Sequence, residues 1–354
     1  MRPAKTILTA TLVAAGLSAC AGPAKEPVSV GYGPSPELPA PSSSLVPMVN
    51  IAEAVGWPEG EMPVPAAGLT VTAFASGLDH PRWLHVLPNG DVLVAETNGP
   101  PRPEDGDGIQ GFVMKQVMAK AGAGVPSANR ITLLRDTDGD GVADESHVFL
   151  EGLNSPFGME LVGDTFYVAN TDAIVSLPYP TGATSLSAAP TPLTSLPAGE
   201  INHHWTKNII ASKDGTKLYA TVGSNSNIAE NGLAAEEGRA AIWEVDIATG
   251  EKRLFASGLR NPNGLDWNPA SGALWTAVNE RDELGNNLVP DYVTSVEDGA
   301  FYGWPWSYYG QTVDTRVKPQ NPDMVAKAIA PDYALGSHTA SLGLEFADGL
   351  KLGP

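Results

Sequence analysis

Two adjacent imidazoles, His203 and His204, an arginine–asparagine pair, Arg260 and Asn261, and two acidic loops are the groups in this chain that could do chemistry. A neutral imidazole accepts a proton near neutral pH, so a histidine pair reads as a general base, a metal ligand or a structural pair. The run Asp136-Thr-Asp138-Gly-Asp140-Gly141-Val-Ala-Asp144 puts carboxylates at loop positions 1, 3, 5 and 9 with glycine at 6, the opening of a calcium-binding loop. Position 12 is His147 instead of a bidentate glutamate, and β-like runs flank the loop, which excludes a helix–loop–helix sensor. The expectation is a structural calcium held by Asp136, Asp138, Asp140 and Asp144, with an acidic hairpin turn as the alternative. Asn279 to Glu283 (NERDE) is a second acidic turn. Phosphate-binding P-loops, Gly-x-Ser-x-Gly elbows, His-Glu-x-x-His helices and dinucleotide glycine fingerprints are all missing, so nicotinamide chemistry and serine hydrolysis have no support.

The elements that must carry these groups are written as a repeat. Phe74 opens FASGLDHPRWL, Phe149 opens FLEGLNSPFGM and Phe255 opens FASGLRNPNGL, sharing Phe-x-x-Gly-Leu-x-x-Pro-x-x before Leu or Met. A degenerate copy begins near Leu193 and a fifth beginning, HTASLGLEFADG, starts at His338. The copies lead into alternating apolar residues between Asn-Gly, Asp-Gly and Ser-Gly turns, which is strand-and-hairpin chemistry. Four-stranded blades of about 40–50 residues, some with insertions, fit this spacing. The fold class is all-β, a β-propeller. One insertion, Ile109 to Lys120, reads as a helix with Phe112, Val113, Val117 and Met118 on a face packed over the propeller.

The chain divides into three parts. Arg2 and Lys5 precede a short apolar run, Ile7 to Leu17, that ends in Leu-Ser-Ala-Cys. This is the pattern of a bacterial lipoprotein signal peptide over residues 1–19, with the lipid on Cys20, the sole cysteine. Ala21 in place of aspartate favours the outer membrane, so an exported, periplasm-facing, lipid-anchored protein is expected. Residues 20–68, rich in Pro, Ser and Ala, read as a tether, and 69–354 as the propeller domain. A net charge of −19 argues against nucleic acid as a partner.

Three runs, HHWTKNIIASKDGTKLYATVGSNSN, GLRNPNGLDWNP and VNERDELGNNLVPDY with FYGWPW, occur in that order. With them the chain resembles the soluble PQQ-dependent glucose and sorbosone dehydrogenases. The resemblance implies a six-bladed propeller, of which about four and a half blades are present here. Further blades would come from a longer chain or a second one. It implies pyrroloquinoline quinone (PQQ) and calcium as cofactors over the central face, and oxidation of a sugar, sugar alcohol or sugar aldehyde. His204, the family's position rather than His203, is the implied base. Lys207 stands where relatives have arginine and would meet a cofactor carboxylate. Arg260 would act in catalysis and, with Asn261 and His338, in cofactor binding. Glu280 and Arg281 would offer carbonyl oxygens to the cofactor calcium. No Cys-x-x-Cys-His haem motif is present, so electrons would pass to an external acceptor. A calcium-dependent propeller lactonase and a non-catalytic cell-surface binding propeller are the rival readings.

Overall fold

The computed structural model describes residues 26–42, 53–101, 116, 118–123 and 125–348. The signal peptide, Cys20 and most of the expected helix at 109–120 lie outside the described residues; Met118–Lys120 is helical. In chain order the strands are β1 (Tyr32–Gly33), β2 (Pro81–Val86), β3 (Val92–Glu96), β4 (Arg130–Arg135), β5 (Glu145–Leu150), β6 (Met159–Val162), β7 (Thr165–Ala169), β8 (Ala173–Pro178), β9 (Thr191–Ser195) and β10 (Ile209–Ala211). They continue as β11 (Lys217–Val222), β12 (Ala241–Asp246), β13 (Lys252–Ser257), β14 (Asn261–Trp267), β15 (Leu274–Asn279), β16 (Pro290–Val296), β17 (Ser307–Tyr308), β18 (Thr312–Val313) and β19 (Tyr333–Ser337).

Four antiparallel sheets form four propeller blades: β2–β5, β6–β9, β10–β13, and a fourth ordered β14-β15-β16-β19. The Phe-x-x-Gly-Leu repeat straddles them. Phe149 lies in β5 and Phe255 in β13, the last strands of blades one and three, and the prolines that follow lead into the first strand of the next blade. The repeat glycines Gly77, Gly152 and Gly258 all have φ between 72° and 78°. A side chain is strained there, so glycine recurs where the chain leaves an outer strand and crosses inward.

The cores lie between blades. Leu93, Ile131 and Phe149 of blade one meet Met159, Phe166 and Val168 of blade two, with Phe149 and Phe166 edge to face at 5.4 Å. Ile174 and Leu196 meet Leu218 and Val245, and Tyr219 and Ile242 meet Leu265, Val278 and Tyr292. Alternation along strands such as β11 places one face in each of two such cores, which is why the strands are apolar on both sides.

Because every pairing is antiparallel, the turns between strands two and three and the crossings between blades leave the same end of the sheets. His204, Arg260 and His338 are on crossings, and Asn279–Glu283 is on the second turn of blade four, so one face collects them. The Asp136–Asp144 loop joins strands three and four of blade one and leaves the opposite end.

One expectation is corrected here. Within the stretch read as a tether, Tyr32–Gly33 pairs with Leu335 and Ala334 as a fifth strand on blade four, and Ser42 N–H donates to Leu284 O at 2.9 Å. Leu38 packs with Leu284, Leu288, Val289 and Tyr308. Its tyrosine, valine and leucine supply apolar surface that a free linker would lack. The expected fifth repeat has no strand among the described residues. Its backbone at Leu342–Leu344 instead passes against Gly264 of β14, and Phe346 packs edge-on to Trp275 at 5.8 Å.

Candidate active site

His204 sits on the crossing into blade three, partly buried. Its Nδ1 lies 2.9 Å from both the carbonyl oxygen and the hydroxyl of Ser224. A carbonyl only accepts, and the Ser224 hydroxyl donates to Ser226 O at 2.6 Å, so Nδ1 must carry the proton. The lone pair is then on Nε2. Burial, and after it the Arg260 guanidinium, hold the imidazole well below its usual range, which keeps it neutral. The Ser224–Ser226 loop that sets this tautomer is gripped by Glu236, whose carboxylate accepts from Asn225 N (2.6 Å), Ser226 N (3.0 Å) and Ser226 Oγ (2.6 Å).

Next to it, Asn261 donates through Nδ2 to Asn279 Oδ1 at 3.4 Å, while its own Oδ1 is buried with no hydrogen-bond partner among the described residues. Gly223 makes this proximity feasible: a Cβ there would stand 2.4 Å from both Asn261 Oδ1 and His204 Cβ.

Arg260 is buried and binds loops on every side. It donates to Asn227 O at 3.2 Å, Asn227 Oδ1 at 2.9 Å, Glu280 O at 2.5 Å and Asn279 O at 3.4 Å, and faces Asp282 at 3.4 Å. Asp282 also meets His338 Nδ1 at 3.2 Å, and its backbone N–H donates to Asn227 Oδ1 at 2.9 Å. The ion pair with Asp282 raises the His338 pKa, and its Nε2 lies 3.1 Å from Gly285 O. The structure thus brings His204, Arg260, Asn261 and His338 onto one face. Sequence reasoning marked the runs that hold Ser224, Asn227 and Asp282 without assigning those residues a role, and it missed Glu236, which has no spacing signal of its own.

Two expected roles change. Lys207 is fully buried and donates to the His204 and Trp205 carbonyls, both at 3.3 Å, so it underpins the histidine's backbone. Burial, and then Arg239, draw its pKa down to about 7. The Glu280 carbonyl already accepts from Arg260, and the Arg281 side chain is wholly buried among Glu280, Asp314, Pro305 O and Ser307 O. The two side chains therefore brace the loop. At the opposite end, Asp136, Asp138 and Asp144 bring carboxylate oxygens within 4.8 Å of one another, but Asp140 turns away to accept from Val142 N at 2.8 Å.

A cleft of about 200 Å³ lies outside this cluster, lined by Ser42, Glu283, Tyr308 and Arg316 among others. None of its lining residues belongs to the His204–Asn261 group, although Glu283 is part of the Asn279–Glu283 turn.

A β-propeller with a polar, cation-rich cluster on one end of its inner strands is the class this architecture defines. Residues 63–297 match the family model described as TrAA12-like, and the chain belongs to that family. The fold is shared with the holo form of the pyranose dehydrogenase PQQ domain from Coprinopsis cinerea (TM-score 0.62, 20% identity, 82% of this chain and 73% of that one). It is likewise similar to the calcium structure of the Trichoderma reesei carbohydrate-active enzyme of family AA12 (TM-score 0.60, 16% identity, 78% of this chain and 72% of that one). An uncharacterized protein of Borreliella burgdorferi is 26% identical over 155 residues, 44% of this chain; the match spans only 40% of that curated relative.

Proposed function

We propose that this chain is a PQQ-dependent sugar dehydrogenase, oxidising a sugar hydroxyl or aldehyde and passing the electrons to an external acceptor. The observation that carries this reading is His204 held as the Nδ1–H tautomer, its side chain and the unpartnered Asn261 Oδ1 both lying against Gly223. The residues suit a flat, acidic quinone. Asn261 Oδ1 is buried without a donor, Gly223 lets it lie close to the His204 side chain, and the positive charge of Arg260 is nearby. When bound, PQQ supplies two-electron, hydride-accepting chemistry. His204 Nε2 takes the substrate's hydroxyl proton as the C–H hydride departs, and Ser224 steadies the resulting imidazolium by accepting from Nδ1. Arg260 and Asn227 hold the Asn279–Asp282 turn in register with Asn261. The family membership and the two named structures support this reading.

The test is sugar-dependent reduction of an acceptor dye by the purified chain with PQQ and calcium added. Dye reduction that requires PQQ is the expected result. Hydrolysis of a sugar lactone without PQQ would transfer the protein to the lactonase reading, and sugar binding with neither activity to the binding-propeller reading.

Calcium is proposed at the Asp136–Asp144 loop as a stabiliser, remote from the chemistry. A ligand present at 100 times its Kd and bound only to the folded state adds about 2.7 kcal/mol, so calcium should raise the melting temperature and chelation should reverse it. Asp138→Asn with Asp144→Asn should abolish the response, whereas Asp140→Asn should leave most of it. An equal loss in Asp140→Asn would contradict the observed geometry. Lipid attachment at Cys20 and outer-membrane anchorage are part of the same proposal.

A further inference from the structure

We infer that Arg82, on the first strand of blade one, is an anion-recognition residue placed to pair with a carboxylate of the bound quinone. This rests on the proposed function and adds a second blade to the cofactor's recognition. In the repeat Phe-x-x-Gly-Leu-x-x-Pro, the residue after proline is Arg82, Phe157 or Asn263. All three converge on the two residues that follow His204. The Arg82 guanidinium carbon is 5.4 Å from the Trp205 ring centroid, Phe157 meets that ring edge to face at 6.0 Å, and Asn263 Oδ1 accepts from Thr206 Oγ1 at 2.8 Å. Arg82 thus stands at the site end of its strand, close to the base's own segment.

Arg82 forms no ion pair among the described residues; Arg239 forms none either, but it lies within the electrostatic reach of Glu236. Arg130, Arg135 and Arg253 each sit within 3 Å of a carboxylate. Arg82 is partly buried, and its side chain meets the Trp205 ring and His80 Nε2 at 3.4 Å. The chain holds 40 acidic residues against 21 basic ones, so an unpaired, desolvated arginine runs against its composition. Burial lowers the Arg82 pKa, and no carboxylate opposes that shift. Stacking on an indole uses the face of a guanidinium and leaves its in-plane N–H groups for a two-pronged contact with a carboxylate. PQQ is a polycarboxylate, and its acid groups match that donor edge.

The experiment compares PQQ with its trimethyl ester, each titrated against the purified chain by isothermal calorimetry and tryptophan quenching. A charge-assisted hydrogen bond contributes on the order of 1.5–3 kcal/mol, so Arg82→Ala should weaken PQQ binding by roughly 10–100-fold. Binding of the ester should be the same in both proteins. Arg82→Lys should fall between, keeping the charge and losing the fork, and Arg82→Gln should match alanine while preserving bulk over Trp205. Undiminished PQQ binding in Arg82→Ala overturns the inference. So does an equal loss of PQQ and ester, which would make Arg82 a support for Trp205 alone. If the unaltered chain binds neither compound, the proposed function fails and this inference with it.

Discussion

His204→Ala is expected to lower turnover by about 10²–10⁴-fold while leaving PQQ affinity within a few-fold of the unaltered chain. The reason lies in what the imidazole touches. Its Nδ1–H is committed to Ser224, so the free lone pair is on Nε2, and removing the ring takes away the base without removing Asn261 or Arg260. The pH dependence follows from the direction of the shift. A histidine held below its usual range stays neutral at pH 7, so kcat/KM should be flat there and fall only in acid, as protonation removes the base. Ser224→Ala should reproduce part of the effect: the carbonyl still fixes the tautomer, but one acceptor is lost. Dye reduction across a sugar panel, with binding measured in parallel, separates the two quantities. Full turnover in His204→Ala would end the base assignment even with the fold intact.

The repeat made the architecture legible from sequence, because Phe-x-x-Gly-Leu-x-x-Pro reports a positive-φ glycine and a strand entry, both local properties of the chain. The docked strand Tyr32–Gly33 was not legible. Two residues inside a proline-rich stretch carry no periodicity, and their pairing with β19 is set by an edge some three hundred residues away. The site divides in the same manner. His204, Arg260 and Asn261 stood out through residue type and motif. Glu236 grips Asn225 and Ser226 within its own β11–β12 connection without a spacing signal, and Asn227, which closes the quoted SNSN run, meets Arg260 of the next crossing only in the folded chain. Asp140 shows the limit of spacing as evidence. The interval fitted a calcium loop, but only Asp136, Asp138 and Asp144 gather their oxygens; all four carboxylates cap local N–H groups, so spacing alone does not fix which of them converge.

Arg281→Met is expected to cost about 3–5 kcal/mol of stability, the largest loss of any single change outside the inter-blade cores. Arg281 has no exposed surface. Its guanidinium donates to Glu280 Oε2 at 3.0 Å, Asp314 Oδ2 at 3.2 Å, Pro305 O at 2.7 Å and Ser307 O at 2.6 Å, with Tyr308 against its face. Methionine fills much of the volume but leaves these acceptors without a donor. Asp314 is protected, since Arg316 grips it through Nε at 3.0 Å and Nη2 at 2.8 Å. Glu280 is not: Oε1 is already unpartnered among the described residues, and Oε2 would keep only the backbone N–H of residue 281. The cost therefore concentrates on one buried carboxylate, and Glu280→Gln combined with Arg281→Met should recover part of it, giving a coupling between the two sites. Urea unfolding at constant slope measures both, and a single-variant loss below about 1 kcal/mol would show that the charge is not truly desolvated. The same substitution loosens the turn whose Glu280 carbonyl anchors Arg260, so cofactor affinity should fall with stability in Arg281→Met and return in step with it in the double variant.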